Sequence, residues 1–415
     1  MTTAFRNASL TRITSELLSN DVSTNTTLTW NGIDNVTEAF QPPEGCLMIP
    51  HSAFVPENNP EDLVSYETLR HVRKITNVYF LELCVLFSVP CNVINMIVFW
   101  KHGIKVRINL CLFCLSFVDL VFLVSVLLLN AELIYSLITK TTYGLVFVND
   151  LFKNMVQVLP TACVYASGFL STLVAFERCL CVFSPLKAKS VIQTKTTAAI
   201  IVIGHVIILI GSMVVVSRYA VVCVLDPVTG KWINSLYPSE FYINNKGLVD
   251  FFSAIIFGVF LPGCYTAGIS ISTIVTVAKL RRMSEWREQS SSSASLSRGA
   301  SAVRDLTLTR MLIGTSCVFL LCITPSFLFY VILLFVPDLS LNGKYHNTFL
   351  LLILVQQIIL CINASANFFV YYSFGTKFRL SVRDMLCRWR GTTKRAEMRT
   401  GREVSAATVA SSITE

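Results

Sequence analysis

The sequence predicts an all-α membrane protein, a bundle of seven transmembrane helices plus a short amphipathic helix on the membrane surface. Two observations predict this fold. First, 53% of the 415 residues are hydrophobic and only 14% are charged, whereas soluble domains carry about 25% charged residues. Second, the apolar residues gather into runs that reach the ~20 residues needed to cross a bilayer. These seven runs lie near 78–100, 108–130, 155–182, 197–217, 248–279, 307–336 and 346–372.

The segment before the first span, residues 1–77, is polar and carries N-x-S/T acceptor sequences at Asn7, Asn25 and Asn35. Three such sequences without an apolar packing pattern around them predict an extracellular, glycosylated tail. The first residues lack the apolar centre of a cleavable signal peptide, so we expect the first span to direct insertion into the membrane.

The basic residues predict which side of the membrane each loop faces. Most of the 34 Lys and Arg residues lie in the loops after the odd-numbered spans, which the positive-inside rule assigns to the cytoplasm. We therefore expect a multi-pass plasma-membrane protein with an extracellular N-terminus and a cytoplasmic C-terminus. The net charge of +9 follows from this bias, and no nucleic-acid partner is predicted. A basic cluster at 70–74 runs against the bias and is interpreted as a contact to lipid headgroups or to ligand.

Polar residues inside the spans are costly and mark candidate functional sites. Asp119 in the second span is the clearest case, and Asn92, Ser167, Asn363 and Asn367 lie at comparable depths. Oxygen atoms from this set are suited to enclose a small hydrated cation, so we predict a sodium site in a polar core and no other cofactor. The alternative is a protonated Asp119 within a knot of hydrogen bonds, because a buried carboxylate is expensive.

The third span ends in Glu177-Arg178-Cys-x-Cys-Val-x-x-Pro185-Leu. This pattern resembles the rhodopsin-like (class A) G-protein-coupled receptors, in which an acid-Arg-aromatic triplet closes the third helix and Pro follows seven residues after the Arg. The resemblance covers roughly residues 75–390 and recurs in order along the chain. Its other motifs are Asn92, Leu-x-x-x-Asp119, Pro262, Phe319-x-x-Cys322-Ile323-x-Pro325, Asn367-Phe368-x-x-Tyr371 and Phe378-Arg379.

The resemblance implies a receptor without enzymatic activity, which binds an extracellular ligand and activates a heterotrimeric G protein, with arrestin and a receptor kinase as further partners. The implied activation switch consists of Glu177, Arg178, Asp305, Pro262, Phe319, Pro325, Asn367 and Tyr371. Asp305 is expected at about the depth of Arg178, so we predict an ion pair between them, backed by Glu177, that holds the closed state. The alternative for Asp305 is a solvated loop charge. Activation would free Arg178 and open a groove for a helix of the G protein.

The sequence departs from the family at several positions and looks like divergent invertebrate peptide-type or orphan receptors. The third-helix position of the usual family disulfide is Lys153, so Cys223 lacks its usual partner. Cys46 is the only other exterior cysteine, and a Cys46–Cys223 bond is the hypothesis. Ile323 stands in place of the sixth-helix Trp and Phe368 in place of the seventh-helix Pro.

The ligand is constrained mainly by exclusion. The seventh span has no Lys to bind retinal, and Pro160 stands where monoamine receptors carry Asp. The predicted pocket is mostly neutral, and acidic residues mark its outer rim, which favours a basic neuropeptide. The pocket residues are Gln157, Pro160, Thr161, Val164, Phe327, Tyr330 and Gln357, and the rim residues are Glu132, Asp150, Asp226, Glu240 and Asp250. The alternatives are a chemosensory receptor for small molecules on the same fold and a membrane transporter, for which we find no internal repeat.

The cytoplasmic segments carry weaker signals. Residues 373–390 alternate aromatic or aliphatic with basic side chains, which predicts an amphipathic helix on membrane lipid, and Cys387 at its end is a candidate for palmitoylation. Residues 281–304 are Ser-rich and are predicted to be a disordered third loop, either phosphorylated or a plain linker. Residues 391–415 form the predicted cytoplasmic tail.

Overall fold

The computed structural model describes residues 46–47, 59–139, 150–183, 193–225, 232–289, 296–340 and 343–387. The predicted glycosylation sites at Asn7, Asn25 and Asn35, and the tail 391–415, lie outside the described residues.

Seven long helices match the predicted spans, and all seven are apolar and long enough to cross a membrane. The first helix, α1, runs through Tyr66–Ile75, a π-helical segment Thr76–Phe80 and Leu81–Lys101. It is followed by α2 (Arg107–Thr139), α3 (Asp150–Phe183) and α4 (Thr194–Val216). The fifth helix, α5, has a π-helical segment Phe251–Phe260 and an α-helical part Leu261–Gln289. The sixth and seventh are α6 (Leu296–Phe335) and α7 (His346–Phe374), and residues 376–387 form the predicted amphipathic helix, α8.

The helices carry apolar side chains on their outer faces and polar ones inside. The outer face of α4 exposes Val202, Ile203, Ile207 and Ile210, which are 59–64% accessible. Asn92, Asn95, Asp119 and Ser167 are buried in the interior. Such an arrangement is expected where hydrocarbon is the surrounding solvent, because only the protein interior can then satisfy polar groups.

Three helices are longer than the spans that the sequence predicted. The first begins at Tyr66, inside the segment predicted to be a tail. The fifth continues to Gln289 and the sixth starts at Leu296, so the prediction of disorder over 281–304 is wrong for the helical residues on both sides of 290–295. The physical reason is local propensity: Arg281 and Glu285 are four residues apart on α5, a spacing that supports a helix in water, and serine alone does not break one.

A small three-stranded sheet was not predicted. Its strands are β1 (Cys46–Leu47), β2 (Tyr219–Leu225) and β3 (Trp232–Pro238), in the order β1-β2-β3. The β2 and β3 strands form an antiparallel hairpin, and β1 pairs with β2 in parallel, with Cys46 directly opposite Cys223. The sheet belongs to one compact unit (Met1–Phe54 and Val214–Asp250), whereas the helix bundle belongs to the other (Val55–Met213 and Phe251–Glu415).

The segment before α1 is bound to the start of α7, an arrangement that we call the Asp62 clasp. The Asp62 carboxylate accepts the backbone N–H of Asn347 (2.6 Å) and the hydroxyl of Thr348 (2.5 Å). The Asn347 amide donates to the Val64 carbonyl at 3.0 Å. A carboxylate at the first turn of a helix satisfies N–H groups that lack intrahelical partners and opposes the helix dipole favourably. The clasp therefore joins the N-terminal ends of α1 and α7.

We expect Asp62→Ala to lower the stability of the purified protein by about 1 kcal/mol, the usual cost of losing a helix cap. Thermal unfolding followed by fluorescence measures this change. Glu61→Gln is the matched control, since Glu61 is the neighbouring acid, is exposed and pairs with the Lys344 side chain instead of with α7. An equal loss in both variants would contradict a capping role for Asp62.

The clasp should also persist at mildly acidic pH. Burial raises the pKa of Asp62, but the hydrogen bonds from Thr348, Asn347 and Val64 together outweigh burial and lower that pKa below its ordinary value. A carboxyl with a lowered pKa contributes stability above its unfolded-state pKa and loses it only as the pH falls through the folded-state value. We expect the difference between Asp62→Ala and the wild type to vanish only below about pH 4.

Candidate functional site

The predicted polar core is assembled around Asp119, which is 2% exposed. Ser167 of α3 donates to one carboxylate oxygen at 3.1 Å, and Asn367 of α7 donates to the other at 2.9 Å. Three helices thus meet at one carboxyl group. Depth along each span was enough to predict this set, because helical rise fixes how deep a residue lies.

Asn92 belongs to a neighbouring contact between α1 and α7 and does not touch Asp119. Its amide donates to the carbonyls of Ala364 (3.0 Å) and Ser88 (3.2 Å), and the Ser88 and Ser365 hydroxyls are hydrogen-bonded to each other. These bonds fix the packing of the first helix against the seventh. Asn92 is therefore separated from the group that surrounds Asp119.

A cavity of about 20 Å³ borders Asp119. Its polar lining comes from Asp119, Ser167 and Asn363, and its apolar lining includes Val164, Phe319 and Ile323. This volume exceeds the ~10–15 Å³ that a single water needs. Each Asp119 oxygen accepts one hydrogen bond from the described residues and retains a further lone pair. The residues therefore fit a small hard cation, which prefers oxygen ligands.

Arg178 lies near the C-terminal end of α3, at an end of the bundle that we call the Arg178 end. This end is closed. A cavity of about 10 Å³ lies beside Arg178, lined by residues of α3, α5 and α6. Its members are Ala175, Arg178, Ser272, Thr273, Thr276, Thr309, Leu312, Ile313 and Ser316. The Arg178 Nε is buried and has no hydrogen-bond partner among the described residues. A helix is ~10 Å across, so a partner helix enters only if this end of the bundle opens.

Glu177 does not lie where the sequence predicted. Instead of backing an ion pair of Arg178, its carboxylate pairs with Arg107 at the start of α2, with Nε and Oε1 3.5 Å apart. The two side chains are only 17% and 6% exposed. Arg107 was missed because nothing local in the first loop identifies its partner 70 residues away. The backbone of Asp305 is helical within α6, but its side chain lies outside the described residues, so the Arg178–Asp305 pair stays a prediction.

Tyr371 anchors an aromatic cluster at the junction of α7 and α8. It is fully buried, and its ring packs edge-on against Phe99 (5.2 Å between centroids) and Phe378 (5.6 Å). Phe368, which replaces the family's Pro, contacts Phe378 and stacks on Tyr372. The substitution therefore adds packing between the seventh helix and the amphipathic helix.

Gly375 lets the chain turn sharply between α7 and α8. A Cβ there would lie 2.5 Å from the Tyr371 carbonyl oxygen and 2.9 Å from the Met311 sulfur. The first loop also holds α8, because the His102 ring bonds the Ser381 hydroxyl at 2.9 Å. Burial, and then the charge of Lys377, lower the pKa of His102, which keeps the ring neutral at physiological pH.

Phe319 and Ile323 of α6 form a buried apolar cluster with Ala175 of α3 and Ile269 of α5. Pro325 lies one half-turn further along α6 and interrupts its hydrogen-bond ladder. In α5, Pro262 is the second residue after the π-helical segment. The predicted proline sites thus flank the region where these three helices pack.

The predicted ligand pocket is only partly described. Pro160, Thr161, Val164, Phe327, Tyr330 and Gln357 are all half-buried, whereas the side chain of Gln157 lies outside the described residues. The Tyr330 side chain lies beside those of Tyr165 and Gln356. Tyr165 and Gln356 were missed, since sequence does not reveal which of two adjacent glutamines faces the interior.

One predicted rim acid is already engaged. Asp250 accepts from Arg218 at 2.7 Å and from the Tyr242 hydroxyl at 3.0 Å. Its carboxylate is therefore bound by side chains of its own compact unit, which weakens the argument that it forms part of an acidic rim for a ligand. The side chains of Glu132 and Asp150, and the whole of Asp226, lie outside the described residues.

The sequence model of one protein family, 7 transmembrane receptor (rhodopsin family), matches residues 91–371, more than half of the chain. The match covers the region from the first span to Tyr371, and so includes Asp119, Arg178 and Pro325. No curated protein matches the chain.

Proposed function

Since the chain belongs to the rhodopsin family of 7 transmembrane receptors, we propose that it binds an extracellular neuropeptide and activates a heterotrimeric G protein at its Arg178 end. Members of this family are multi-pass membrane receptors and not enzymes, and so is this chain. Membership in this family also excludes the transporter alternative. The proposal includes the plasma membrane as its location, with the Arg178 end in the cytoplasm, where the basic loops belong.

The surroundings of Arg178 carry the proposal. The Nε of Arg178 is buried without an acceptor among the described residues, next to a cavity of about 10 Å³ with a hydroxyl-rich wall. A guanidinium group with an unsatisfied N–H can donate a further hydrogen bond to a carbonyl or carboxylate oxygen. A swing of α6 about Pro325 would widen this cavity and present Arg178 to a helix of the G protein.

Nucleotide exchange tests the coupling directly. Cells that carry the chain are first screened with amidated peptides and odorants, and their calcium and cyclic-nucleotide responses are measured. The full chain in lipid nanodiscs is then mixed with each main class of heterotrimeric G protein. We expect at least one G-protein class to exchange nucleotide faster when a library ligand is added. Absence of exchange with every class would contradict the proposal.

A peptide is favoured over a small chemosensory ligand by the neutral side chains of the predicted pocket and by the exposed carboxylate of Glu240 at its predicted rim. A response to odorants alone would favour the chemosensory alternative.

A sodium ion is proposed at Asp119, supported by the oxygen lining of its cavity. We expect Na⁺ at tenfold its Kd to stabilise the receptor by about 1.4 kcal/mol. Replacement of Na⁺ by choline should lower the melting temperature of the wild type and leave that of Asp119→Asn unchanged. Asn92→Ala is the control: it removes a packing contact but keeps the sodium response. A sodium response in Asp119→Asn equal to that of the wild type would contradict the site.

A disulfide between Cys46 and Cys223 is also proposed, supported by their direct opposition in the parallel ladder. Neighbouring strands lie about 4.8 Å apart, within the Cα separation that a disulfide spans. Two thiols would give up two protons and two electrons to a disulfide donor of the secretory pathway. Non-reducing peptide maps should contain the two cysteine peptides cross-linked, and separate peptides would remove the proposal.

The remaining proposals concern modification and regulation. Asn7, Asn25 and Asn35 are proposed to carry glycans, Cys387 a palmitoyl chain, and the serines of 290–295 phosphate that recruits arrestin after a receptor kinase acts. Cys387 is exposed at the end of α8, which supports access to an acyl donor at the membrane surface. Intact-mass analysis of the purified receptor before and after deglycosylation and thioester cleavage tests the glycans and the acyl chain.

A further inference from the structure

We propose that Arg70, Arg73 and Lys74, on the part of α1 that precedes its membrane span, bind an acidic segment of the extracellular peptide ligand. We call these three residues the α1 basic patch. The inference rests on the proposed receptor function and deepens it, because it names a chemical class of ligand: a peptide with two or three adjacent carboxylates.

The three side chains of the patch are exposed, aligned and unpaired. Arg70, Arg73 and Lys74 are all exposed. Residues three and four apart lie on the same face of a helix, so the three cationic groups point in a common direction. None of them takes part in an ion pair with another described residue. The patch therefore presents three positive charges to an anionic partner.

The acidic residues that precede the patch do not neutralise it. Asp62 is bound to the first turn of α7, and Glu61 is paired with Lys344. Glu67 is exposed and makes no ion pair among the described residues. A partner for the patch must therefore come from outside this segment.

The height of the patch above the membrane follows from the length of α1. Its membrane span is Leu81–Lys101, whose 21 residues rise about 31 Å and so match the ~30 Å of hydrocarbon. Tyr79 and Trp100 are each 61% exposed, one near each end of this span. Aromatic residues are enriched at both membrane interfaces, which supports the same placement.

The patch lies above the lipid headgroups. The helix is continuous from Tyr66 to Lys101, so Lys74 and Arg70 lie about 10 Å and about 16 Å before the start of the span at Leu81. The headgroup layer adds only about 5–7 Å on each side of the bilayer. A helix tilt of about 20° would lower these heights by only about 6%. These heights favour a partner in the extracellular solution over the lipid headgroups.

The start of α1 is held in place, which preorganises the patch. The Ser65 hydroxyl caps the helix by accepting the Thr68 N–H at 3.2 Å, and Leu69 is buried. The Asp62 clasp ties the preceding residues to α7. A binding surface that is already ordered loses less conformational entropy when a ligand binds.

The shape and chemistry of the patch favour a short acidic peptide segment. A guanidinium group binds a carboxylate through two parallel hydrogen bonds, and the patch contains two of them. Its three residues span about 6 Å along the helix axis, which matches two or three neighbouring carboxylates. A sulfated glycan chain would extend beyond the patch on both sides. Complementary charge at the entrance also speeds the encounter with the ligand.

Photo-cross-linking tests the patch and reports where a probe binds. The probe is an amidated peptide of four glutamates that carries a diazirine group, and it is added to the full chain in phosphatidylcholine nanodiscs at low salt. Peptide mapping should find the label on residues 66–80. The label should decrease at physiological salt, because salt screens exposed charges. A peptide of four glutamines with the same diazirine should label this segment much less.

The variant Arg70→Gln/Arg73→Gln/Lys74→Gln removes the whole patch. Its label on residues 66–80 should fall by about threefold or more, since exposed ion pairs are weak singly but three are lost together. The melting temperature should stay near that of the wild type, because exposed side chains away from special contacts contribute little to stability.

The matched control is Lys195→Gln/Arg281→Gln/Arg282→Gln, which changes the net charge equally through exposed residues of other helices. This control should keep the wild-type label on residues 66–80. An equal fall in both triple variants would overturn the patch, because the label would then depend on net charge alone.

The other outcomes separate the patch from rival partners and from the proposed function. Wild-type labelling of the patch variant, or no label on residues 66–80 of the wild type, would overturn the patch. Loss of the label from this segment alone when phosphatidylserine is added to the nanodiscs would overturn it in favour of headgroups. Displacement by a sulfated hexasaccharide at a lower concentration than by unlabelled tetraglutamate would overturn it in favour of a glycan. Cross-linking needs no G protein, so absence of nucleotide exchange with every class would overturn only the proposed function.

Discussion

Arg178→Ala should abolish G-protein activation and spare ligand binding. Arg178 lies beside the closed cavity at its end of the bundle, with its Nε buried and unpartnered among the described residues. Its guanidinium group offers several donors to the helix that enters when the cavity opens. Loss of these charge-assisted bonds should reduce the exchange rate at least tenfold, since each is worth about 1.5–3 kcal/mol.

Two controls separate this effect from misfolding. Arg310→Ala removes an exposed arginine of the same bundle end and should keep exchange near the wild-type rate. Agonist affinity, measured with the ligand found in the screen, should be the same in all three proteins. Wild-type exchange in Arg178→Ala would show that the G protein does not couple at the Arg178 end.

Arg107→Ala is expected to cause the largest loss of stability. It removes the partner of Glu177, which is buried and whose Oε2 has no hydrogen-bond partner among the described residues. Leaving a buried carboxylate uncompensated costs about 3–5 kcal/mol. An arginine is also unfavourable at a helix N-terminus, so the Glu177 pair accounts for its position at the start of α2.

The double variant Arg107→Ala/Glu177→Gln should recover most of the lost stability, because the unpaired charge is gone. Lys105→Ala changes an exposed neighbour in the same loop and should leave the melting temperature unchanged. Thermal unfolding in detergent compares the four proteins. A double variant as unstable as Arg107→Ala alone would mean that the arginine packs and does not neutralise Glu177.

Some of this architecture was accessible from sequence because it is local. Membrane length and apolarity belong to each span separately, so all seven were predicted. Depth along a helix is a simple count, which explains why the predicted polar core included Asp119, Ser167 and Asn367, whose side chains the structure brings into contact.

Other contacts depend on which helix faces which, and no local pattern encodes that. The Arg107–Glu177 pair and the Asp62 clasp join residues 70 and 285 positions apart. To predict that Tyr165 and Gln356 face the interior, the rotation of each helix about its own axis must be known. To predict that Cys46 lies opposite Cys223, the register of a strand of two residues must be known. Such a strand is too short to show the alternation of polar and apolar residues that identifies strands in a sequence.

The distance between the third and sixth helices at the Arg178 end tests the central claim most directly. Spin labels at Phe183 of α3 and Arg310 of α6, both exposed, are measured by double electron–electron resonance after replacement of the exposed cysteines Cys264, Cys317 and Cys387. With a G protein and agonist bound, we predict that the distance increases by several ångströms as α6 swings about Pro325. An unchanged distance in a complex that exchanges nucleotide would contradict the account.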